Sequence, residues 1–443
     1  MSSIRQGGLH PEGSSVPPRR WSGFAPREIS ALCNEEMVAL HAGEAAFLWT
    51  QRAHAVGAPH YRLKDLIRLD GRLEAHLDGL RTAGEKGWEK CMAAMDVPGP
   101  GEVFAAGVLA CESRDGRRIG TVVKLALEAP EWQRACVSAL GWLSFADAVP
   151  TLEALLEEQA PEVRRLGVAG AAAQRWDLGP HLGAALGDED ASLRACALET
   201  VGLLARADLL PKVQRALTDD EDEACRFAAA WTLVRLGQRT GPAFSLLQAL
   251  GDSAGPFARR ALSVAMPCMP QAQAKAWYSR LREAPQTRRL AAIAAGVLGD
   301  AEHVKDLLAW MAEPAVAREA GEAFALLTGI DLAWEGLDAE PPQDEVAVED
   351  ETAAKESENL PWPATEKVAA WWHQHQGDFQ KGTRYLVGKP ISDMHLREVL
   401  RQGTQRQRAA AALEWGLRKP QAPLFEVRAP GPLQARRLAA WTS

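Results

Sequence analysis

Apolar side chains recur every three or four residues along most of the chain, which is the spacing of an amphipathic α-helix. One such stripe is built from leucines alone: Leu66, Leu69, Leu73, Leu77 and Leu80. Gly57 and Pro59 separate it from an earlier stretch, starting at Ile29, that shows the same periodicity. The pattern predicts a helical N-terminal module over residues 27–96, which covers the first apolar face of the array that follows.

From Gly101 onwards the chain repeats itself about every 30 residues, the period of helix-pair arrays. Arginines mark the repeat at intervals of 29 to 33 residues: Arg134, Arg164, Arg194, Arg226, Arg259, Arg288 and Arg318. Prolines follow the first four arginines by 16 or 17 residues, and a proline in the first turn of a helix loses no hydrogen bond: Pro150, Pro180, Pro211 and Pro242. Glycines stand eleven residues after three arginines and are placed to cap helix C-termini: Gly237, Gly299 and Gly329. Each unit is therefore predicted to be a pair of helices.

Six residues before each of the first four arginines stands an acidic residue. A regular series of arginines could track the phosphates of a nucleic acid, but acids at a fixed distance neutralise that charge. We therefore predict a structural ladder of charges between successive units. Its members are Glu128, Arg134, Glu158, Arg164, Asp188, Arg194, Asp220 and Arg226.

The units resemble HEAT repeats, a family in which a turn acid and a second-helix arginine connect successive units and the second helix lines the concave face. Val163–Arg164 and Leu193–Arg194, each followed by an alanine-rich helix, resemble the phycobilisome-lyase-like branch. The resemblance spans about residues 101–333 and implies an all-α fold, a HEAT-like α-solenoid of helix pairs over residues 97–334. Second-helix residues outside the ladder are then the candidates for partner binding: Arg165, Glu199, Trp231, Arg235 and Arg289.

Charge divides the rest of the chain. The net charge is −8, yet the stretch from Glu335 to Glu358 alone holds ten acids and one lysine. We interpret residues 335–360 as an acidic linker, residues 361–443 as a basic helical C-terminal module, and the Pro-, Gly- and Ser-rich residues 1–26 as a disordered leader. Trp371 and Trp372 are adjacent in the C-terminal module, and a helix is not expected to bury both against one surface. They are therefore added to the candidates for partner binding.

The chemistry-bearing residues favour no catalytic site. Histidines His41, His54, His60 and His76 lie near acids in the N-terminal module, but neither HExxH nor a paired Glu-x-x-His motif is present, so we expect no metal and no cofactor. Seven cysteines without a CxxC pair indicate reduced thiols. No apolar run suggests export or membrane insertion, and we expect a cytoplasmic, non-enzymatic protein.

A second resemblance concerns residues 41–88 and 382–415. Together with the central repeats they are similar to an uncharacterised bacterial family of HEAT-repeat proteins often encoded near type VI secretion spike and effector genes. The resemblance implies a protein-binding scaffold that acts as an adaptor, loading chaperone or immunity-like binder for an effector or spike component. The alternative is a HEAT-like enzyme or helper, similar to a DNA alkylpurine glycosylase or a bilin lyase. Nucleic acid is an unlikely partner, because residues 1–334 carry a net negative charge that repels phosphates.

Overall fold

The computed structural model describes residues 34–342 and 357–441, and nearly all regular structure in these ranges is α-helical. This confirms the predicted all-α solenoid. The predicted leader, Cys33 and residues 343–356 of the acidic linker lie outside the described ranges. Within those ranges, no helix combines the length and the apolar character that crossing a membrane requires.

The N-terminal module consists of α1 (Glu35–Ala55), α2 (Leu63–Ala83) and α3 (Glu85–Ala94). Asn34 caps α1, since its side-chain oxygen accepts the Glu36 N–H at 3.0 Å. All five leucines of the predicted stripe are buried, and they bury α2 against α1. Helix α1 of this module packs on α4, the first of the repeat helices.

The repeats form two rows of helices. The first row comprises α5 (Gly116–Ala126), α7 (Phe145–Leu156), α9 (Pro180–Ala185), α11 (Leu210–Asp219), α13 (Pro242–Asp252), α15 (Gln271–Glu283) and α17 (Val304–Trp310). The second row comprises α4 (Pro100–Ser113), α6 (Pro130–Trp142), α8 (Pro161–Gln174), α10 (Ala191–Leu204), α12 (Glu223–Arg235), α14 (Ala258–Ala265), α16 (Arg288–Leu298) and α18 (Ala317–Thr328). Every arginine of the repeat lies in the first half of a second-row helix.

The predicted prolines and glycines stand at helix boundaries, with two exceptions. Pro180, Pro211 and Pro242 stand in the first turns of their helices, and Gly299 and Gly329 are C-caps in the left-handed conformation. Pro150 instead lies inside α7, because the Ser144 hydroxyl caps that helix six residues before the proline. Gly237 follows the C-cap Leu236 rather than forming the cap itself.

The stack curves towards the second row. Arg260 on α14 donates a hydrogen bond to Glu199 on α10 at 2.7 Å, although α12 lies between these helices. Neighbouring packed helices are about 8–10 Å apart, so in a flat row α10 and α14 would stand about 16–20 Å apart. The side chains meet because the row bends towards them. We call this concave side, formed by the second-row helices, the inner face.

The C-terminal module starts where the acidic linker ends. Strand β1 (Asp338–Ala339) pairs antiparallel with β2 (Trp362–Pro363), which brings both ends of the linker together. Helix α19 (Thr365–His375), the hairpin β3 (Tyr385–Leu386) and β4 (Lys389–Pro390), and helices α20 (Asp393–Gln402), α21 (Gln405–Arg418) and α22 (Gly431–Ala439) follow. Their core contains Leu396, Leu400, Ala411, Trp415 and Leu438, and it includes Leu63 of α2.

This module closes the solenoid into a ring. Arg406 of α21 donates to the Glu322 carboxylate of the last repeat helix at 2.6 Å and to the Gly57 carbonyl of the N-terminal module at 3.5 Å. The Gln405 N–H donates to the Tyr61 carbonyl at 2.7 Å. A small cavity beside these contacts is lined by Pro59 and Arg62 on one side and by residues of α18 on the other. The first and last parts of the array therefore meet around α21.

Candidate protein-binding face

The N-terminal and middle parts of the second-row helices form one half of the inner face, which we call its N-terminal half, and this half carries a row of bonded polar side chains. Arg165 on α8 donates to the Gln133 amide oxygen on α6, and Arg260 donates to Glu199. Arg260 and Glu199 are 45% and 37% exposed in their side chains, so both remain accessible to solvent. We call Gln133, Arg165, Glu199 and Arg260 the inner-face row. It spans five consecutive second-row helices, α6 to α14.

Aromatic rings form the floor beneath this row. The Arg260 guanidinium lies over the rings of Phe227 and Trp231, at 5.0 and 5.8 Å from their centroids. Phe227 stacks on Phe257 at 4.5 Å. A cation held over aromatic faces is stabilised by the ring quadrupoles, and the two rings fix where Arg260 points. The row is therefore a positioned set of charges with bonded partners.

A second polar cluster lies further along the inner face. Arg289 on α16 donates to Glu319 on α18 at 2.6 Å and to the Ser357 hydroxyl at 2.7 Å. Glu319 and Ser357 are both buried. Arg289 therefore anchors the chain where it returns from the acidic linker, and most of its hydrogen-bonding capacity is used inside the molecule.

The other half of the inner face, formed by the C-terminal ends of the second-row helices, is covered by the chain itself at α8 and α12. Arg235, one turn beyond Trp231 on α12, is fully buried and donates to the carbonyls of Pro420 and Ala422. Burial, together with the nearby charges of Arg175 and Arg239, lowers the pKa of Arg235 to about 10. Among the described residues of the inner face, the inner-face row therefore remains open to solvent, whereas Arg235 does not.

Two of the predicted partner-binding residues are thus corrected. Trp231 is 5% exposed beneath Arg260, and Arg235 is 0% exposed beneath residues 420–422. Both lie on the inner face, as their sequence positions suggested, but neither offers a surface to a partner. Arg165 and Glu199 are partly exposed and belong to the inner-face row, whereas Arg289 is occupied by Glu319 and Ser357.

The interpretation of the paired tryptophans is also wrong. Trp371 and Trp372 both approach Phe324 of α18 edge-on, with ring centroids at 5.8 and 6.0 Å. Side chains 100° apart on a helix can straddle one central ring, so both are partly buried on the same element. Trp371 stacks on His375 and Trp372 contacts Phe379, which leaves neither as an isolated exposed ring.

In the central units, the residues of the proposed ladder form ion pairs from one unit to the next. Arg164 donates to Asp188 at 2.6 Å, and Arg194 holds Asp220 through two bonds of 2.8 and 2.9 Å, so each arginine reaches the acid of the next unit. Each arginine also donates to main-chain carbonyls five and six residues earlier, including the carbonyl of Glu158. Among the described residues, Arg226 makes the corresponding carbonyl contacts and no ion pair.

The first predicted rung is not formed. Glu128 and Arg134 are exposed, and neither makes a hydrogen bond or ion pair through its side chain to any residue in the described part of the chain. The hydrogen bond from Arg194 lowers the pKa of Asp220, although burial opposes it. The ladder therefore begins at Arg164 and is strongest between α10 and the following unit.

Sequence reasoning missed Arg260 and the arginines around Arg235. Arg260 follows Arg259 as Arg165 follows Arg164 and Arg289 follows Arg288, so the repeated Arg-Arg pair was an available signal. No comparable signal marks Arg175 or Arg239, because their partners are main-chain carbonyls about 180 to 250 residues away.

The histidines of the N-terminal module come together only in part. The Nδ1 atoms of His41 and His76 are 3.1 Å apart, whereas the exposed His54 ring bonds to the Thr50 carbonyl of its own helix. Burial and the neighbouring His41 lower the pKa of His76. Among residues 34–342 and 357–441, no group of three or more His, Cys, Asp or Glu side chains is arranged to hold a metal ion.

Residues 179–266 match a family model described as HEAT repeats, and this stretch contains three complete helix pairs, α9 to α14. No curated protein matches the chain in sequence. The matched stretch includes the Arg194–Asp220 pair and the aromatic floor beneath Arg260, so these central helix pairs are similar in sequence to HEAT repeats.

Proposed function

We propose that the protein is a non-catalytic binding scaffold and that the N-terminal half of its inner face holds a partner protein. One observation carries the proposal: the inner-face row is partly exposed to solvent, whereas the C-terminal ends of α8 and α12 on the same face are covered by the C-terminal module. HEAT repeats commonly act as scaffolds for protein interaction, which supports the same reading.

The row suits a protein surface better than a small molecule. It alternates Arg165, Glu199 and Arg260 along a curved array, and its charges are positioned by hydrogen bonds and by aromatic rings. Such positioned charges favour partners with a complementary pattern and disfavour others, since like charges placed opposite each other cost several kcal/mol. Arginine over an aromatic floor is also a frequent centre of binding energy in protein interfaces.

The partner class that we propose is an effector or spike component of a type VI secretion system, for which the protein serves as an adaptor, loading chaperone or immunity-like binder. This part of the proposal rests on the resemblance of residues 41–88 and 382–415 to a family often encoded near such genes. The geometry of the inner-face row adds only that the partner is a folded or extended polypeptide with alternating charge.

The test compares matched charge reversals. Purified protein is titrated with the effector and spike proteins of its own host, as wild type, as Arg165→Glu/Arg260→Glu, and as Lys124→Glu/Arg215→Glu. The control pair lies on the exposed sides of the first-row helices α5 and α11 and changes the net charge equally. We expect the inner-face variant to bind at least tenfold more weakly and the control variant to bind like wild type. Equal loss in both variants, or no loss in the inner-face variant, would reject this face as the site.

A further inference from the structure

A short segment of the C-terminal module is held on the inner face by arginines from two repeat units, which are separated by the unit of α10. Arg239 donates to the carbonyl of Leu417 at 2.6 Å, Arg235 to those of Pro420 and Ala422, and Arg175 to that of Leu424 at 2.7 Å. We call Arg175, Arg235 and Arg239 the arginine clamp. All three stand at or just beyond the C-terminal ends of second-row helices, α8 and α12.

The clamp recognises main chain rather than side chains. Each of its three arginines donates to carbonyl oxygens of the segment, and the Leu424 N–H returns a hydrogen bond to the Leu203 carbonyl of α10 at 2.8 Å. Residues 419–426 contain Pro420 and Pro423, which lack an N–H, so this stretch has more acceptors than donors. Guanidinium groups carry only donors and complement such a stretch.

Three side chains of the segment fix its direction on the clamp. Glu426 pairs with Arg175 at 3.1 Å, and Leu424 packs against the core of the repeats while Phe425 enters the core of the C-terminal module. A ligand of the clamp therefore needs prolines that leave carbonyls unpaired, then an apolar pair, then a carboxylate.

The contact between the arginine clamp and the segment brings several arginine charges close together in a buried place. Arg235 is fully buried with its Nε unpartnered, and the charges of Arg175 and Arg239 lie nearby. Glu426 is the carboxylate that the segment itself offers to these arginines. Burying like charges side by side costs free energy, so such a contact is weaker than an apolar contact of the same size. The segment is therefore held less firmly than its burial suggests.

We propose that the arginine clamp is a binding site for a proline-containing peptide of a partner protein, and that residues 417–426 are an internal ligand which the partner peptide replaces. This inference rests on the proposed scaffold function and names a second site and its ligand class. The site lies beside the inner-face row on the same concave surface, so one partner could engage both.

The test uses the full chain and a labelled synthetic peptide of residues 417–428. Wild type is compared with Leu424→Ser/Phe425→Ser, which weakens the apolar hold of the internal segment and leaves the clamp intact. We expect the variant to bind the peptide at least tenfold more tightly than wild type. Adding Arg175→Gln and Arg239→Gln should return binding to the wild-type level, and a peptide carrying Glu426→Lys should bind more weakly. A folded variant that binds the peptide no better than wild type would overturn the proposal.

A second measurement applies if the released variant does not fold. Hydrogen exchange of wild type is followed with and without excess peptide. Replacement of the segment should speed exchange at the Leu424 amide, which is bonded to α10, and should leave amides inside α10 protected. Unchanged exchange at Leu424 overturns the proposal. Loss of partner binding in Arg165→Glu/Arg260→Glu with no peptide binding at the clamp would sink this inference and leave the proposed function standing.

Discussion

Individual ladder arginines join three pieces of the chain at once. Arg194 donates to the carbonyls of Asp188 and Glu189 in the turn before its own helix, and it holds the carboxylate of Asp220 in the next turn. The carbonyls would otherwise be left unpaired where the chain turns between helices. Hydrogen bonds to charged groups contribute about 1.5–3 kcal/mol, and this pair is only partly exposed, at 19% and 7%.

Replacing Arg194 should therefore destabilise the stack. We expect Arg194→Gln to lower the free energy of unfolding by about 1–3 kcal/mol, because Asp220 and two carbonyls lose their donor. Urea unfolding followed by circular dichroism measures the change. Arg134→Gln is the control, since Arg134 occupies the equivalent repeat position but is exposed, and exposed substitutions usually change stability by less than about 0.5 kcal/mol. Equal effects in the two variants would show that the Arg194 contacts contribute nothing to stability.

The same pair gives a pH dependence of known sign. The pKa of Asp220 is lower in the folded protein than in the unfolded chain, mainly because Arg194 donates to it. Its contribution to stability is therefore present above the unfolded value of about 4 and is lost as the pH falls through the folded pKa. We expect Asp220→Asn to be less stable than wild type at pH 7, with the difference shrinking between pH 4 and pH 2. A difference that stays constant over that range would contradict the pairing.

At the level of elements, residues 385–388 connect the last two second-row helices to the C-terminal module, and we call them the strap. The Tyr385 N–H donates to the Gly299 carbonyl at 2.8 Å, and the N–H groups of Val387 and Gly388 donate to Leu326 and Leu327. The strap thus satisfies carbonyls at helix ends that have no partner within their own helices. It comes so close that a β-carbon on Gly299 would lie 2.1 Å from the Tyr385 carbonyl oxygen.

Replacing Gly299 should destabilise the protein for two separate reasons, which are its left-handed backbone conformation and the lack of space for a side chain. Gly299 has φ +62° and no space for a side chain, whereas Gly336 has φ +66° and open space around it. A left-handed alanine costs about 1–2 kcal/mol, so Gly336→Ala should lose about that amount. Gly299→Ala should lose clearly more, because the strap must also move. Thermal unfolding compares the two, and equal losses would mean that the strap yields without cost.

At the level of the whole molecule, a buried ion pair closes the ring. Arg52 on α1 and Asp70 on α2 pair at 2.6 Å with side chains 5% and 2% exposed. Arg52 also donates to the carbonyls of Arg428 and Ala429, and Asp70 accepts the Gly431 N–H at 2.6 Å. These contacts join residues up to 377 positions apart, so the N-terminal module and the last helix are held by one polar cluster.

Breaking this cluster should open the ring before it unfolds the repeats. Asp70→Asn leaves Arg52 buried without a counter-charge, and removing one member of a buried pair typically costs about 3–5 kcal/mol. We expect trypsin to cleave this variant after the exposed Arg428 well before the central helices are attacked. Asp78→Asn on the same helix is the control, because the Asp78 side chain is 66% exposed and its pair with Arg81 should contribute about 1 kcal/mol or less. Cleavage at Arg428 no faster than in wild type would show that the pair does not hold the ring closed.

The sequence by itself determined the helical solenoid, the leucine face of α2 and the central rungs of the ladder, because these features repeat locally and each depends on spacing within one or two units. It also pointed to Arg165 and Glu199, since second-row positions outside the ladder can be counted from the arginines. Only the tertiary structure decided that the ring closes, that Arg235 and Trp231 are covered, and that Arg52, Arg175 and Arg239 bind the C-terminal module. The physical reason is that these contacts end on main-chain carbonyls hundreds of residues away, and a carbonyl is the same at every position of a sequence.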